Sequence, residues 1–313
     1  MTDVSVVSSE SDTAEQLTIV RKKRWGRWLV AVLVAVVITL VLVSVLSNPR
    51  FGWDVVRQYL SNEAILRGLL LTLFLTVVSM VVGILLGILL AVMRQSPNPL
   101  VSGSAFAYVW FFRGTPLLVQ LLFWFNLSAL YPTLTFGIPG VSLDANALIT
   151  PMMAAILGLS LNEGAYMSEV VRAGLLSVDR GQSEAAAALG MSRYRTLKRV
   201  VLPQAMRMII PPTANETIGM LKMTSLVSVL AVSDLLYSAQ IIYSRNFQTI
   251  PLLIVASIWY IVVTSVLSVG QYYLERRFSR GHGRRTSTPK FGKMRGVLGA
   301  RVRAESAHAD ARA

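Results

Sequence analysis

The sequence predicts an all-α integral membrane protein with six membrane-spanning helices. Hydrophobic residues make up 54% of the 313 positions and charged residues only 15%. The hydrophobic residues are gathered in long runs, and about 20 helical residues are enough to cross the hydrocarbon core of a bilayer. Six such runs are present, at about 29–46, 67–93, 105–130, 147–170, 206–230 and 250–274.

The first of these runs follows a polar segment that is wrong for a signal peptide. Acidic residues are scattered through residues 1–20, where a signal peptide would be basic, and the basic stretch RKKRWGRW comes only afterwards. We predict a disordered basic cytoplasmic segment over residues 1–27 and an extra transmembrane helix over 28–47. The Arg-, Gly- and Ser-rich residues 279–313 have no periodic apolar face and are predicted to be a disordered basic tail.

The positions of the cations predict the orientation. Of 30 Lys and Arg residues, 5 lie at 21–27, 7 lie between Arg172 and Arg207, and 11 lie from Arg276 onward. With Arg94, all of these fall on the side of the two termini if six spans are present. Because positive charge resists translocation, both termini are predicted to be cytoplasmic.

Several classes of function are excluded or disfavoured by what the sequence lacks. There is no cysteine, and both histidines, His282 and His308, lie in the polar tail, so no metal site is expected. The net charge of +14 does not indicate a nucleic-acid binder, because apolar runs separate the cations. No phosphate-binding GxxxxGK[ST] loop, HExxH motif or nucleophile elbow occurs, although paired carboxylates on separate spans leave an intramembrane enzyme open.

One polar segment, EAAAALGMSRYRTLKRVVLP at residues 184–203, stands out between apolar runs. Glu184 suits the first turn of a helix, and the alanines after it favour helix without adding bulk. Gly190 can end that helix in the left-handed conformation, Ser192 can cap a second one, and Pro203 can close it. We predict two short helices joined by a sharp turn, a shape suited to docking into a groove of a cytoplasmic partner.

Polar residues inside the predicted spans indicate a path for a polar solute, because ionisable groups there cost about 2.5–3.5 kcal/mol and usually face a cavity or a partner. On the fourth span Asn162, Tyr166 and Glu169 share one helical face, with Glu163 beside it. On the fifth, Asn215 and Lys222 share a face, with Glu216 beside it. The predicted substrate path is therefore Asn162, Glu163, Tyr166, Glu169, Asn215, Glu216 and Lys222.

Some of these residues have alternative roles. Glu169 can pair with Arg172 three residues later, and Lys222 can neutralise Glu216 or extend toward the membrane surface. The run Arg113, Gly114, Thr115 and Pro116 is predicted to make a tight turn into a helix, with a gating or structural role.

Three stretches resemble the permease subunits of binding-protein-dependent ABC importers, in the polar amino acid uptake subfamily of glutamine, glutamate, histidine and arginine permeases. The segment from Glu184 to Pro203 resembles the EAA loop of that family. The stretch FRGTPLLVQ at 112–120 and the segments NEGAYMSEVVRAGLLSVDRGQ and LPQAMRMIIPPTANETIGMLKMTSLVSVL are also similar to it. The similarity covers about residues 64–275. One departure is Met223, where many relatives carry a polar residue.

The resemblance implies a type I ABC importer permease fold, with a five-span core at 64–275 and one extra N-terminal span. It also implies that the cytoplasmic loop 171–203 couples the chain to an ATPase through Glu184, Ala185, Ala186, Gly190, Leu202 and Pro203. ATP and Mg would be bound by a separate nucleotide-binding ATPase dimer and no cofactor by this chain. The other implied partners are a second permease subunit, identical or sister, and an extracytoplasmic solute-binding protein. Membrane lipids are expected partners of the basic tail, and the distribution of the cations predicts no nucleic acid.

The function implied is ATP-driven import of polar L-amino acids across the cytoplasmic (inner) membrane. The alternative is an ion-coupled secondary carrier or a channel for small polar solutes. That alternative explains the charges within the spans but gives the segment 184–203 no purpose.

Overall fold

The computed structural model describes residues 25–134 and 143–278. The segments predicted to be disordered, 1–27 and 279–313, lie outside the described residues except for 25–27. Those three positions are helical, so the prediction is wrong there. The chain divides into two compact units between Trp53 and Asp54.

The described part of the first unit is one long helix and a short cap. Helix α1 runs Trp25–Ser47, and its stretch Trp28–Ser47 is long and apolar enough to cross a membrane. A 3-10 turn at Pro49–Phe51 follows, with the Asn48 side chain accepting a hydrogen bond from Arg50 N. The Trp53 indole N–H then donates to the Val45 carbonyl oxygen at 3.1 Å, so the chain folds back on the end of α1.

The second unit is a helical bundle. Its long helices are α3, α4, α8, α11 and α13, joined by shorter ones and by a two-stranded antiparallel ribbon of β1 and β2. The elements are α2 (Trp53–Tyr59), α3 (Glu63–Arg94), α4 (Pro99–Gly114), α5 (Leu117–Phe125), α6 (Leu127–Leu130), β1 (Thr133–Leu134), β2 (Leu143–Asp144), α7 (Ala145–Leu148), α8 (Pro151–Leu176), α9 (Arg180–Ala188), α10 (Arg193–Thr196), α11 (Leu202–Met223), α12 (Leu235–Asn246) and α13 (Thr249–Phe278).

Helices α3 and α8 pack against each other more extensively than any other pair in the described parts of the chain. Glycines on α3 allow the close approach: a Cβ atom on Gly87 would lie 2.5 Å from Met167 Cβ, and one on Gly83 would lie 2.6 Å from Glu163 Cγ. A Cβ atom on Gly164 of α8 would in turn meet Leu86 at 2.7 Å. The two helices therefore form a rigid pair that positions the polar residues of α8.

A second core joins α2, α3, α12 and α13. Its buried members are Val56, Ile65, Leu69, Leu235, Ala239, Leu252, Val255 and Ala256. The fully buried Asp234 caps α12 by accepting from Tyr237 N at 2.9 Å, and Leu235 N donates to Thr72 Oγ1 of α3 at 3.1 Å. These bonds fix the start of α12 against α3.

The third predicted span is wrong as a single helix. Instead of one segment over 105–130, α4 and α5 meet at a bend of 104° next to Pro116. Thr115 has an extended backbone and Pro116 occupies the N-cap position of α5, whereas Gly114 does not use a left-handed conformation. A proline cannot donate the backbone hydrogen bond that would continue α4, so the helix ends there.

The fifth predicted span, 206–230, is also interrupted. Helix α11 ends at Met223 and passes into a 3-10 turn over Thr224–Leu230. Ala231 then takes a left-handed conformation at φ 58°, and α12 follows, bent by 44° from the preceding segment. Helix α12 was not predicted, because its sequence is too polar to form an apolar run.

Three helices in the described residues are long and apolar enough to cross a membrane, or five spans if each bent pair counts as one. Helix α8, the predicted fourth span, is not among them, although it has 26 residues. Its polar residues, which include Asn162, Glu163, Glu169 and Arg172, lower its hydropathy. The count of six spans thus stays a prediction.

Candidate functional site

The segment after α8 begins with helix α9, which has a defined start and end. The Asp179 carboxylate caps it by accepting from Gly181 N at 2.7 Å. At the other end Gly190 has φ +73°, its N–H donates to Ala187 O at 2.9 Å, and Met191 N–H donates to Ala186 O at 3.0 Å. This pair of bonds is the Schellman arrangement, so the prediction that Gly190 ends the helix in the left-handed conformation is confirmed.

Three local details of the predicted segment are corrected. Because α9 begins at Arg180, Glu184 lies in its second turn and Asp179 supplies the N-cap. Ser192 occupies the N-cap position of α10, but its side chain makes no capping hydrogen bond. Pro203 does not close a short second helix: α10 continues through a π-helical turn at Leu197–Val201 into α11, where Pro203 lies in the first turn.

The segment Arg180–Val201, called the coupling segment after its predicted role, exposes small and apolar side chains next to cations. Ala185, Ala187 and Ala188 are exposed along α9, while Ala186 is buried. Leu189 at the end of α9 is 82% exposed and Tyr194 on α10 is 69% exposed. Such a smooth patch with two projecting apolar side chains is the kind of surface that a protein partner can cover.

A cluster of one carboxylate and three guanidinium groups lies where α3, α4 and α8 meet. Glu169 Oε1 accepts from Arg94 Nη1, and Glu169 Oε2 accepts from Arg172 Nε at 3.0 Å and Nη2 at 2.8 Å. Arg113 at the end of α4 lies 3.7 Å from Glu169 Oε1. The predicted pairing of Glu169 with Arg172 is confirmed, and the cluster keeps an excess of positive charge.

A cavity of about 400 Å³ opens beside this cluster. Tyr166 lies in its wall, with the Arg113 guanidinium 5.3 Å from the centre of the Tyr166 ring. Arg94, Phe106, Trp110 and Glu169 also line it. The structure therefore brings two predicted path residues, Tyr166 and Glu169, to the same cavity as the predicted gating residue Arg113.

Asn162 lies away from that cavity, in a buried amide network at the bend between α4 and α5. The Asn162 amide donates to Phe112 O at 3.1 Å and to Gln120 Oε1 at 3.2 Å. The Gln120 amide donates to Phe112 O at 2.9 Å and to Thr115 Oγ1 at 2.8 Å. The two side chains thus satisfy the Phe112 carbonyl oxygen, which has no helical donor because Pro116 lies four residues later.

Glu163 is the most deeply buried ionisable side chain among the predicted path residues, at 2% exposure. Its Oε1 atom has no hydrogen-bond partner in the described part of the chain. Glu216 of α11 lies within electrostatic range of it, and Arg113 lies within range of Glu216. Two carboxylates on neighbouring helices thus lie within electrostatic range of each other, and the Oε1 atom of the buried one has no partner among the described residues.

The other path residues of α11 face outward in the single chain. Asn215 and Lys222 are exposed, whereas Glu216 is half-buried. Within residues 25–134 and 143–278 no ion pair joins Lys222 to Glu216. The alternative that Lys222 neutralises Glu216 is therefore not supported by this arrangement.

Arg94 and Gln120 belong to these polar clusters and Asp234 to the start of α12, but none of the three was predicted as a site residue. Arg94 directly follows the second predicted span, 67–93, and is the last residue of α3. Gln120 ends the stretch FRGTPLLVQ, four residues after Pro116. A polar amide at this distance from a proline that ends a helix could have indicated a side chain bonded to the free carbonyl groups of the bend. Asp234 directly precedes an apolar helix start, which is the usual position of an N-cap. No group of three metal-ligating side chains occurs in the residues that the structure describes.

Comparison with known proteins agrees with the resemblance. Residues 83–280 match the family described as "Binding-protein-dependent transport system inner membrane component". The chain is 46% identical over 278 residues to the arginine transport system permease protein ArgU of Corynebacterium glutamicum, covering 88% of this chain and 87% of ArgU. It is 42% identical over 174 residues to the L-cystine transport system permease protein TcyB of Bacillus subtilis, covering 55% of this chain and 68% of TcyB.

The fold is also similar to that of solved transporters. A crystal structure of an amino acid ABC transporter with histidines matches with a TM-score of 0.59 and 37% identity, over 68% of this chain and 94% of that one. A bacterial alginate ABC transporter matches with a TM-score of 0.53 and 17% identity, over 81% of this chain and 96% of that one, which supports the fold alone. The chain therefore belongs to the family of binding-protein-dependent transport system inner membrane components, as a helical transport subunit of the membrane and not a catalytic one.

Proposed function

We propose that this chain forms, with a second identical or sister permease, the membrane path of an ATP-driven importer for polar L-amino acids with a cationic side chain. The observation that carries the proposal is the buried Glu163 carboxylate, whose Oε1 has no partner among the described residues and which lies within electrostatic range of Glu216. An ionised carboxylate is too costly to bury alone, so a guanidinium or ammonium group of a passing solute is a fitting counter-ion. The similarity to an arginine permease supports the same class of solute.

The energy for import is proposed to come from a separate nucleotide-binding ATPase dimer that holds ATP and Mg. The coupling segment would seat in that partner, with the exposed Glu184, Ala185 and Gly190 at the contact and Leu202 and Pro203 leading into α11. Ala186, which the sequence also assigned to this contact, is buried and would support α9 from below. Because the segment is continuous with α11 through the π-helical turn, a displacement of α9 would reach the helix that carries Glu216. A solute-binding protein on the opposite side, and cytoplasmic termini, complete the proposed arrangement.

The experiment for solute recognition uses the complete transporter reconstituted in proteoliposomes with its ATPase and solute-binding protein. Uptake of labelled L-arginine is compared between the wild type and Glu163→Gln. We expect the variant to lose at least about tenfold in uptake, because a hydrogen bond to a charged group contributes about 1.5–3 kcal/mol. Its ATPase activity should still rise when the binding protein is added. Wild-type arginine uptake by the variant would overturn the proposed site.

A control for this experiment is Glu63→Gln, which removes a carboxylate that is 77% exposed at the start of α3. Its uptake should match that of the wild type. The coupling proposal is tested separately by Glu184→Lys, which we expect to abolish ATP-dependent uptake while the same amount of chain inserts in the membrane. Uptake without any ATPase subunit would favour the secondary carrier or channel.

A further inference from the structure

A second and larger cavity lies beside α11 and reaches the coupling segment at Leu197. It is a groove of about 980 Å³ between α3, α8, α11 and α13. Its lining is almost wholly aliphatic, with Ile88, Met167, Leu197, Ile210 and Leu274 among its walls. Its volume exceeds that of the cavity beside Glu169, and none of the described residues that line it carries a carboxylate or guanidinium group.

The few polar side chains that line this groove form hydrogen bonds within their own helices. Thr213 Oγ1 donates to Ile209 O at 2.8 Å, and Thr217 Oγ1 donates to Thr213 O at 2.9 Å. The Gln271 amide donates to Glu275 Oε1 at 2.8 Å. The groove therefore offers little hydrogen bonding to a polar amino acid, and a hydrocarbon chain fits its chemistry better.

Cations follow the lining residues at one end of the groove along the chain. Leu197 is followed directly by Lys198 and Arg199, and Leu274 is followed by Glu275, Arg276 and Arg277, so these two stretches carry four cations and one carboxylate. All four of these cationic residues are exposed. A ligand with an apolar chain for the groove and an anionic group for its mouth would satisfy both features. Basic pockets between membrane helices bind anionic lipid headgroups in this way.

We infer that the groove binds one acyl chain of an anionic phospholipid, whose phosphate lies against the cations that follow Leu197 and Leu274. This inference is independent of the solute that the transporter carries. It assigns a specific lipid to a position against α11, the helix that leads from the coupling segment. Occupation of the groove would fill the space beside α11 and restrict its movement toward α13.

The test places a fluorescent bimane probe in the groove. The chain has no native cysteine, so Gly270→Cys creates a single labelling position. Gly270 lines the groove, and a Cβ atom there would meet nothing within 4 Å. Gly103→Cys is the matched control, since it is also an open helical glycine, on α4 outside the groove.

The labelled permease, in complex with its ATPase, is placed in bilayers that contain either a spin-labelled phosphatidylglycerol or a phosphatidylcholine with the same spin-labelled chain. We expect phosphatidylglycerol to quench the probe at position 270 more strongly than phosphatidylcholine, with a ratio several times that at position 103. The double change Arg276→Gln and Arg277→Gln should reduce that ratio, by about fivefold per cation if each contributes the usual attraction of about 1 kcal/mol.

Three results would overturn the inference. Equal quenching by the two lipids at position 270 would show a groove that does not select an anionic headgroup. A preference unchanged by the arginine substitutions would show that the headgroup is not held there. Absence of quenching by either lipid at position 270, with normal quenching at 103, would show that protein, such as a second copy of the chain, covers the groove.

Discussion

Arg94 at the end of α3 donates a hydrogen bond to the Glu169 carboxylate on α8, although the two residues are 75 positions apart in the sequence. Arg172 and Arg113 approach the same carboxylate, at 2.8 Å and 3.7 Å. Glu169 is thus the anion on which cations from three helices converge. Glu169 therefore connects α3, α4 and α8.

The first prediction is that Glu169→Gln destabilises the protein. Without the carboxylate, three neighbouring guanidinium groups lose their counter-charge. We expect the free energy of unfolding to fall by about 2 kcal/mol. This loss is smaller than that expected for a fully buried ion pair, because all four side chains keep some contact with solvent. The measurement is the apparent Tm of the purified chain in detergent.

The comparison for this change is again Glu63→Gln. Its ion pair with Arg67 is also formed in the structure, but both side chains are more than three-quarters exposed. Exposed pairs contribute little, so the Tm of this variant should stay close to that of the wild type. Equal Tm changes in the two variants would contradict the assignment of Glu169 as the connecting anion.

The second prediction concerns the close approach of α3 and α8. In Gly87→Ala the new methyl group would meet Met167 Cβ at 2.5 Å and backbone atoms at 2.9 Å, so one helix must shift. We expect a loss of about 1–3 kcal/mol in unfolding free energy, as for other overpacked cores. The matched change is Gly219→Ala, where nothing lies within 4 Å and alanine favours the helix. A Gly87 variant as stable as the Gly219 variant would refute the tight contact.

The third prediction is that Asn162 and Gln120 act together on the bend between α4 and α5. Both amides donate to the Phe112 carbonyl oxygen, and they also bond to each other. Asn162→Leu and Gln120→Leu should each destabilise the chain, and the double variant should lose about 1 kcal/mol less than the sum. Thermal unfolding of the four proteins gives this difference, and strict additivity would argue against a shared network.

The same variants test whether Asn162 also contacts solute, as the sequence predicts. A positioning role predicts similar changes in uptake for the Asn162 and Gln120 variants. Direct contact predicts a larger rise in KM for Asn162→Leu alone. A comparison of the KM values of the two variants therefore distinguishes the two roles, which their stabilities do not.

The fourth prediction is that Gly190→Ala weakens attachment of the ATPase. Gly190 has φ +73°, and an alanine in that conformation costs about 1–2 kcal/mol. The end of α9 should therefore rearrange, which moves the exposed Leu189. Co-purification of the ATPase subunit with the permease should fall, whereas Gly103→Ala, at an open helical position, should leave it unchanged. Undiminished co-purification would show that this turn is not part of the contact.

The parts of the structure that the sequence anticipated depend on short separations along the chain. The left-handed Gly190 follows a run of alanines, and the pairing of Glu169 with Arg172 spans one helical turn, so both could be inferred locally. Arg94 could not be connected to Glu169 in this way, because only the packing of α3 on α8 brings them together. The same holds for Gln120 and Asn162.

Breaks inside apolar runs were the main source of error in the fold. Hydropathy is continuous from α4 to α5 and predicts one span there, whereas the turn predicted at Arg113–Pro116 lies at the bend that the structure shows. Helix α12 was not predicted, because its Ser, Gln and Arg side chains interrupt the apolar pattern that indicates a helix. In both places backbone hydrogen bonding decides the structure, and side-chain hydropathy does not report on it.

The glycine contacts between α3 and α8 have a mechanical consequence. At Gly87 the backbone of α3 lies so near to α8 that a side chain would not fit between them. We therefore expect α3 and α8 to move as one body, with any motion that opens the solute path to alternate sides carried by hinges outside this pair.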